Sequence, residues 1–223
     1  MLGTAAYAQS DIDNVKITLG TANKFGLLAG AGVANKSAHT FIIGDVGSSP
    51  TCTVTGLKPS QVKGHLYRKC SPVTANAQKN LTVAFDQAAA AHCDTDLTGK
   101  DLGGMKLVPG VYCFSTSAGL TGTLTLDTRG NPKSQWIFQI GTALTTANNS
   151  RVIMTHKGNE CNVYWQMGSS ATVGKGSIFR GDLMAHASIT LNGGTLHGRA
   201  LASTGAITLP VVQETIDRPR CVE

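Results

Sequence analysis

Charge is scarce in this chain. Only 14% of its residues are Asp, Glu, Lys or Arg, against about 25% in an average globular protein. A disordered chain needs high charge and few apolar residues, whereas 41% of this one is apolar; disorder is excluded. Aromatic residues are scarcer still, at 5%. A nucleic-acid surface wants clustered basic residues interleaved with aromatic rings. Here the net charge is only +6, and the basic residues are scattered apart from Lys63, Arg68 and Lys69 near His65. Nucleic acid is not an expected partner, and the pI of 9.1 reads as ordinary surface charge. No apolar run approaches the ~18 residues of a membrane span. The Leu, Glu and Lys that a helical bundle requires are too few. No C-x-x-C pair occurs, which argues against a zinc ribbon.

Small residues are what the chain has instead. Gly, Thr, Ala and Ser account for 91 of the 223 residues. The length fits one large β domain of roughly 200–250 residues, and the composition points to a β-rich fold with many tight corners. Ala6-Tyr7-Ala8 before Gln9 resembles the end of a secretory leader, so residues 1–8 are expected to be a leader remnant or a cloning scar and 9–223 a single domain. Six cysteines form an even set that suits an oxidising compartment. Secretion is the expected localisation.

One segment differs from the rest. From Ser71-Pro72 to His92 no glycine occurs, and Ala77, Leu81, Ala84, Phe85, Ala88 and Ala91 recur at helical spacing. Ser71 suits an N-cap and Pro72 the first helical position. The pattern predicts one amphipathic helix at about 72–93, roughly 33 Å long. Its stripe of alanines must lie close against a flat partner. Cys70 and Cys93 then stand too far apart for a disulfide, which needs Cα atoms within about 4.4–6.8 Å. Cys52–Cys70 and Cys161–Cys221 are the expected pairs.

The rest of the chain repeats. The segments 114–121, 138–145, 165–172, 183–190 and 201–208 align at spacings of 24, 27, 18 and 18 residues. An 18-residue coil holds three short strands and three corners, a β-solenoid of triangular section. The longer coils carry corner insertions, 129–133 and 156–160, rich in turn residues. In this alignment Leu120, Leu144, Ala171, Ile189 and Ile207 form an apolar column. Just before them stand Gly119, Ala143, Ser170, Ser188 and Ala206; just after stand Thr121, Thr145, Thr172, Thr190 and Thr208. Side chains alternate across a strand, so the middle column points inward and its neighbours outward. Threonine favours strands in general, but that preference predicts Thr mixed with Val, Lys and Ser. It does not predict an uninterrupted, uncharged threonine column.

Leu107-Val-Pro-Gly-Val-Tyr-Cys-Phe114, Leu120-Thr-Gly-Thr-Leu-Thr-Leu126, Trp136-Ile-Phe-Gln-Ile-Gly141 and Cys161-Asn-Val-Tyr-Trp-Gln-Met-Gly-Ser-Ser-Ala-Thr172 resemble the microbial ice-binding (antifreeze) proteins. So do Ile43-Gly-Asp-Val-Gly47 and the stretch from Ala77 to Phe85. The resemblance spans about residues 15–209. It implies a mainly β fold: a discontinuous right-handed β-solenoid with a long helix alongside, whose N-terminal coils stack out of sequence order and whose flat face binds ice. That face would hold the two outward columns above, extended by Gly32, Ala34, Thr53 and Thr55. Residues 57–70 depart from the pattern where some relatives carry a cap, and six cysteines exceed the number in many of them.

No catalytic set emerges. His39, His65, His92, His156, His186 and His197 never approach ligand spacing, and no metal or cofactor is expected. Asp45 and Asp182 occupy similar Gly-Asp corners and read as turn formers rather than an acid/base pair. The carboxylate-lined groove of a solenoid polysaccharide hydrolase is missing. The expected partner is an ice crystal surface, met by a monomer. The alternative is a secreted adhesion or carbohydrate-binding solenoid, which would need exposed aromatic rings; Trp136 and Trp165 sit at core-facing positions.

Overall fold

A computed structural model describes residues 15–131, 133–155, 160–210 and 214–218. The leader-like residues 1–8, His156 and Cys221 lie outside them. The short apolar runs between glycine corners form strands of two to five residues, arranged as three all-parallel sheets of eight, seven and eight strands. One turn of the coil shows the plan. Val163–Met167 lies in the first sheet, Ala171–Val173 in the second and Ser177–Arg180 in the third. The next turn repeats it with Asp182–Ala185, Ile189–Leu191 and Gly194–His197. The result is the expected triangular solenoid.

The stacking is discontinuous. Phe25–Ala29, Val33–Asn35 and Phe41–Ile43 do not precede the first C-terminal coil; they stack on the last one, through Leu28↔Leu201, Val33↔Ile207 and Phe41↔Thr215. Residues 45–63 form the next layer. The 57–70 segment closes that end. Buried Gln61 donates its amide to the Ser37, Ala38 and Thr40 carbonyls, Leu66 bridges Val46, and Arg68 donates to the Leu57 carbonyl.

Apart from its exposed edge strand Thr95–Asp96, the first sheet is buried on both sides. Inside the solenoid, Phe138 stacks on Trp165 at 3.8 Å between ring centroids, with Tyr112 on one side and Phe179 on the other. Both tryptophans are fully buried, and the Trp165 indole N–H donates to the Arg180 carbonyl at 2.9 Å. Outside it lies the helix, Pro72–Ala89, begun by Ser71, whose hydroxyl accepts from the Val73 N–H. Ala77, Leu81, Ala84 and Ala88 are fully buried and form one cluster with Phe25, Leu28, Ile137 and Met184. Phe85 is only partly buried and meets the His186 ring. Because the stripe is alanine, the sheet approaches closely and a larger side chain has no room. Ala84→Leu is expected to lower stability by about 1–3 kcal/mol through overpacking, read as a lower denaturant midpoint with unchanged m.

The helix ends four residues earlier than the spacing predicts. Its 18 residues span about 27 Å. Gln139, across the chain on the first sheet, donates its amide to the carbonyls of Ala88, Ala89 and Ala91. That satisfies the last two orphan acceptors of the helix, at Ala88 and Ala89. Cys93, bonded to Cys113, then leads the chain into the strand Thr95–Asp96 beside Tyr112–Cys113. Cys52–Cys70 pairs as expected, and Cys70 and Cys93 are indeed not joined. Cys161 is disulfide-bonded.

Candidate functional site

The three sheets present different outer surfaces. The first is covered by the helix. The third carries Arg151, Arg180, His197, Asp217 and Lys63 at outward positions, together with Phe41 and Ile153, which are 41% and 40% exposed. His197 faces Asp217 at 3.8 Å, and Arg180 faces Glu160 at 3.6 Å. The seven-stranded second sheet is uncovered, and its three-residue strands bury their first and third residues while leaving the middle one half-buried or, at Thr145, exposed.

These outward-facing residues stand in register. Gly119 pairs with Thr145, Thr145 with Thr172, Thr172 with Thr190 and Thr190 with Thr208. Thr208 then pairs with Ala34, and Ala34 with Thr55. At about 4.8 Å per strand, these seven rungs span roughly 29 Å. A second outward column stands one alternation earlier. Ala143, Ser170, Ser188, Ala206, Gly32 and Thr53 occupy it, each aligned by the backbone hydrogen bond that its carbonyl accepts from the neighbouring strand. Small and β-branched side chains therefore cover the sheet, and no charged residue stands in either column over these rungs.

Two residues expected in these columns lie elsewhere. Gly119 belongs to the threonine column, because it pairs with Thr145 and not with Ala143; Ser117 takes the place beside Ala143. Thr121 lies one alternation beyond the column, and its hydroxyl donates to Asp101 at 3.0 Å. The first spacing is thus 26 residues, not 24. The Leu-Thr pair at 120–121 imitates the one at 144–145. A two-residue slip leaves every side chain on its face, so the inward and outward assignments hold. The last coil slips by one instead. Leu183 pairs with Ala200, and Met184 with Leu201. Leu201 therefore packs under the helix rather than inside the solenoid. An extra residue in the corner between Ala202 and Ile207 restores the threonine register.

Asp45 and Asp182 are not turn formers. The corners are made by Gly44 and Gly181, at φ +127° and +104°, and each aspartate opens the following strand. Asp45 accepts from the His65 N–H. Asp182 is fully buried and receives two hydrogen bonds from Arg199, at 2.9 and 2.8 Å. Arg199 also donates to the Asn23 carbonyl. Among the described residues no group of three His, Cys, Asp or Glu is arranged to hold a metal, and no helix is long and apolar enough to cross a membrane.

A buried carboxyl unremarked in the sequence is Glu214, which accepts from the Gly193 N–H at 2.8 Å. Burial pushes its pKa up to about 7, against the opposing effect of that hydrogen bond. A carboxyl raised on folding contributes fully below its unfolded pKa and loses stability as pH rises through the folded value. Stability should fall between about pH 4.5 and 7 by on the order of 3 kcal/mol. Glu214→Gln should flatten that slope in denaturant titrations across the same range.

Residues 27–216 match the family described as Ice-binding-like. The chain is 46% identical over 193 residues to an ice-binding protein of Nostoc sp. (strain HG1), an alignment covering 86% of this chain and 71% of the relative. It is 32% identical to an ice-binding protein of Leucosporidium sp. (strain AY30), over 91% of this chain and 84% of that one. The crystal structure of an ice-binding protein from the Antarctic ascomycete Antarctomyces psychrotrophicus superposes with a TM-score of 0.84 at 34% identity, covering 92% of this chain and 99% of that one. With the discontinuous solenoid, the flanking helix and the uncharged sheet in place, these likenesses show that the chain belongs to the ice-binding-like family.

Proposed function

We propose that this protein adsorbs to ice through the seven-stranded sheet and inhibits ice growth and recrystallisation. One observation carries the reading: among the described residues, of the three outer surfaces only this one is both uncovered and free of charge, over the seven rungs from Gly119 to Thr55. Threonine methyls and small side chains order water between the rungs, and the hydroxyls hydrogen-bond into the same lattice. Hydrogen-bonded coils hold the array rigid before docking, so little conformational entropy is lost on contact. Adsorbed molecules pin the crystal surface. Ice bulges between them and stops growing until the temperature falls further.

The activity is binding rather than catalysis and uses no cofactor. All the rungs come from one chain, so a monomer suffices. Export to an oxidising compartment fits the Cys52–Cys70 and Cys93–Cys113 bonds. The test is a single ice crystal held in purified protein and cooled, with and without EDTA. Faceting and a gap between melting and growth temperatures are expected in both. A crystal that grows freely as a rounded disc rejects the reading; a gap lost in EDTA and restored by a metal rejects the cofactor-free mechanism.

A further inference from the structure

The threonine column does not end at Gly119. Asp101 bridges Gly119 in the next position of the stack. Leu102 beside it is fully buried, and Asp101 is exposed, so the carboxylate stands outward at the eighth rung. We propose that Asp101 is the boundary residue of the ice-binding face, ending the array at Gly119; this rests on the function proposed above.

Three contacts define what this carboxylate does. It accepts from the Gly103 N–H at 2.7 Å, from the Thr121 N–H at 2.9 Å and from the Thr121 hydroxyl at 3.0 Å. The Thr121 hydroxyl is thereby turned toward the end of the solenoid and away from the ladder. Asp101 also leans over its neighbour: a Cβ added to Gly119 would lie 2.8 Å from Asp101 Oδ2. A side chain at this position would have to push the carboxylate off its hydrogen bonds to Thr121 and Gly103, which favours glycine in an otherwise threonine-rich column. Burial opposes ionisation, yet the hydrogen bonds from Thr121 and Gly103 outweigh it and hold the carboxyl below its usual range. The rung therefore carries a full negative charge. An ion keeps its own hydration shell, and stripping or reordering that shell is costly, so ice-like water does not extend over it. One side chain thus limits the ladder electrostatically and sterically.

Thermal hysteresis and melting curves of Asp101→Asn, Thr55→Asp and Thr172→Tyr, at equal molar concentration, test this. Asn keeps an acceptor for the two backbone N–H groups and removes the charge. Because adsorption scales with contact area, Asp101→Asn should raise hysteresis about 1.1- to 1.5-fold. Thr55→Asp places a carboxylate at the opposite, exposed end of the column and should lower it. Hysteresis at or below the parent value in a normally melting Asp101→Asn overturns the boundary role. Should Asp101→Asn melt early, Thr55→Asp decides alone, and unchanged hysteresis there overturns it. Unchanged hysteresis in Thr172→Tyr rejects the face itself. Loss in Thr172→Tyr with no gain in Asp101→Asn rejects only the boundary.

Discussion

Thr172→Tyr is expected to lose most of the thermal hysteresis while its stability stays within about 0.5 kcal/mol of the parent, as for other surface changes. Thr172 is the third of the seven uncharged rungs, between Thr145 and Thr190. Its flanking residues Ala171 and Val173 are buried, so the strand holds its side chain on the outer face. A phenol there stands above the surrounding methyls and hydroxyls and keeps the neighbouring rungs off the crystal. Because docking needs the whole array in contact at once, one tall residue near the middle disables rungs on both sides. Hysteresis measured beside a thermal melt separates the two effects. Retained activity would place the column off the contact surface, and unfolding would mean that Thr172 is buried.

The largest effect on stability is expected from Asp182→Ala. Asp182 and Arg199 are 0% and 2% exposed. The contact of Arg199 Nη1 with both Asp182 oxygens ties two adjacent strands of the helix-covered sheet, and Arg199 reaches on to the Asn23 carbonyl. Asn23 precedes the strand Phe25–Ala29, where the out-of-order N-terminal coil joins the C-terminal stack. Removing the carboxylate leaves a buried guanidinium uncompensated, which typically destabilises by about 3–5 kcal/mol. The N-terminal coil should loosen first. Hydrogen exchange is expected to speed up in residues 25–43 before the coils at 163–191, and uniform exchange across both would contradict the clasp.

Much of this fold is legible from local pattern. Alternation and the recurring threonines reveal the solenoid and its outer face, and the glycine-free stretch reveals the helix. What escapes depends on distant partners. The helix ends at Ala89 because Gln139, 50 residues away, accepts the role of C-cap donor; nothing between Ala88 and Cys93 signals a stop. Asp182 looks like a corner residue until Arg199 is brought beside it. The register slip of the first coil has a simpler cause. Leu-Thr recurs at 120–121 and 144–145, so identity favours an alignment that the hydrogen bonds reject, and only parity protects the face assignment. Asp101 escapes because it lies 18 residues before Gly119 in a coil that shares no motif with the others.

Ice meets the seven-stranded sheet and not the charged third sheet in the mechanism proposed here. Its most direct test is the partition of dye-labelled protein into a slowly grown ice hemisphere, comparing Thr190→Tyr with Ile153→Tyr. Ile153 points outward from the third sheet and is 40% exposed, so the same ring tests both faces. Ile153→Tyr is expected to enter the ice as the parent does, while Thr190→Tyr stays in the liquid. Exclusion of Ile153→Tyr with uptake of Thr190→Tyr would move the contact to the third sheet and contradict it.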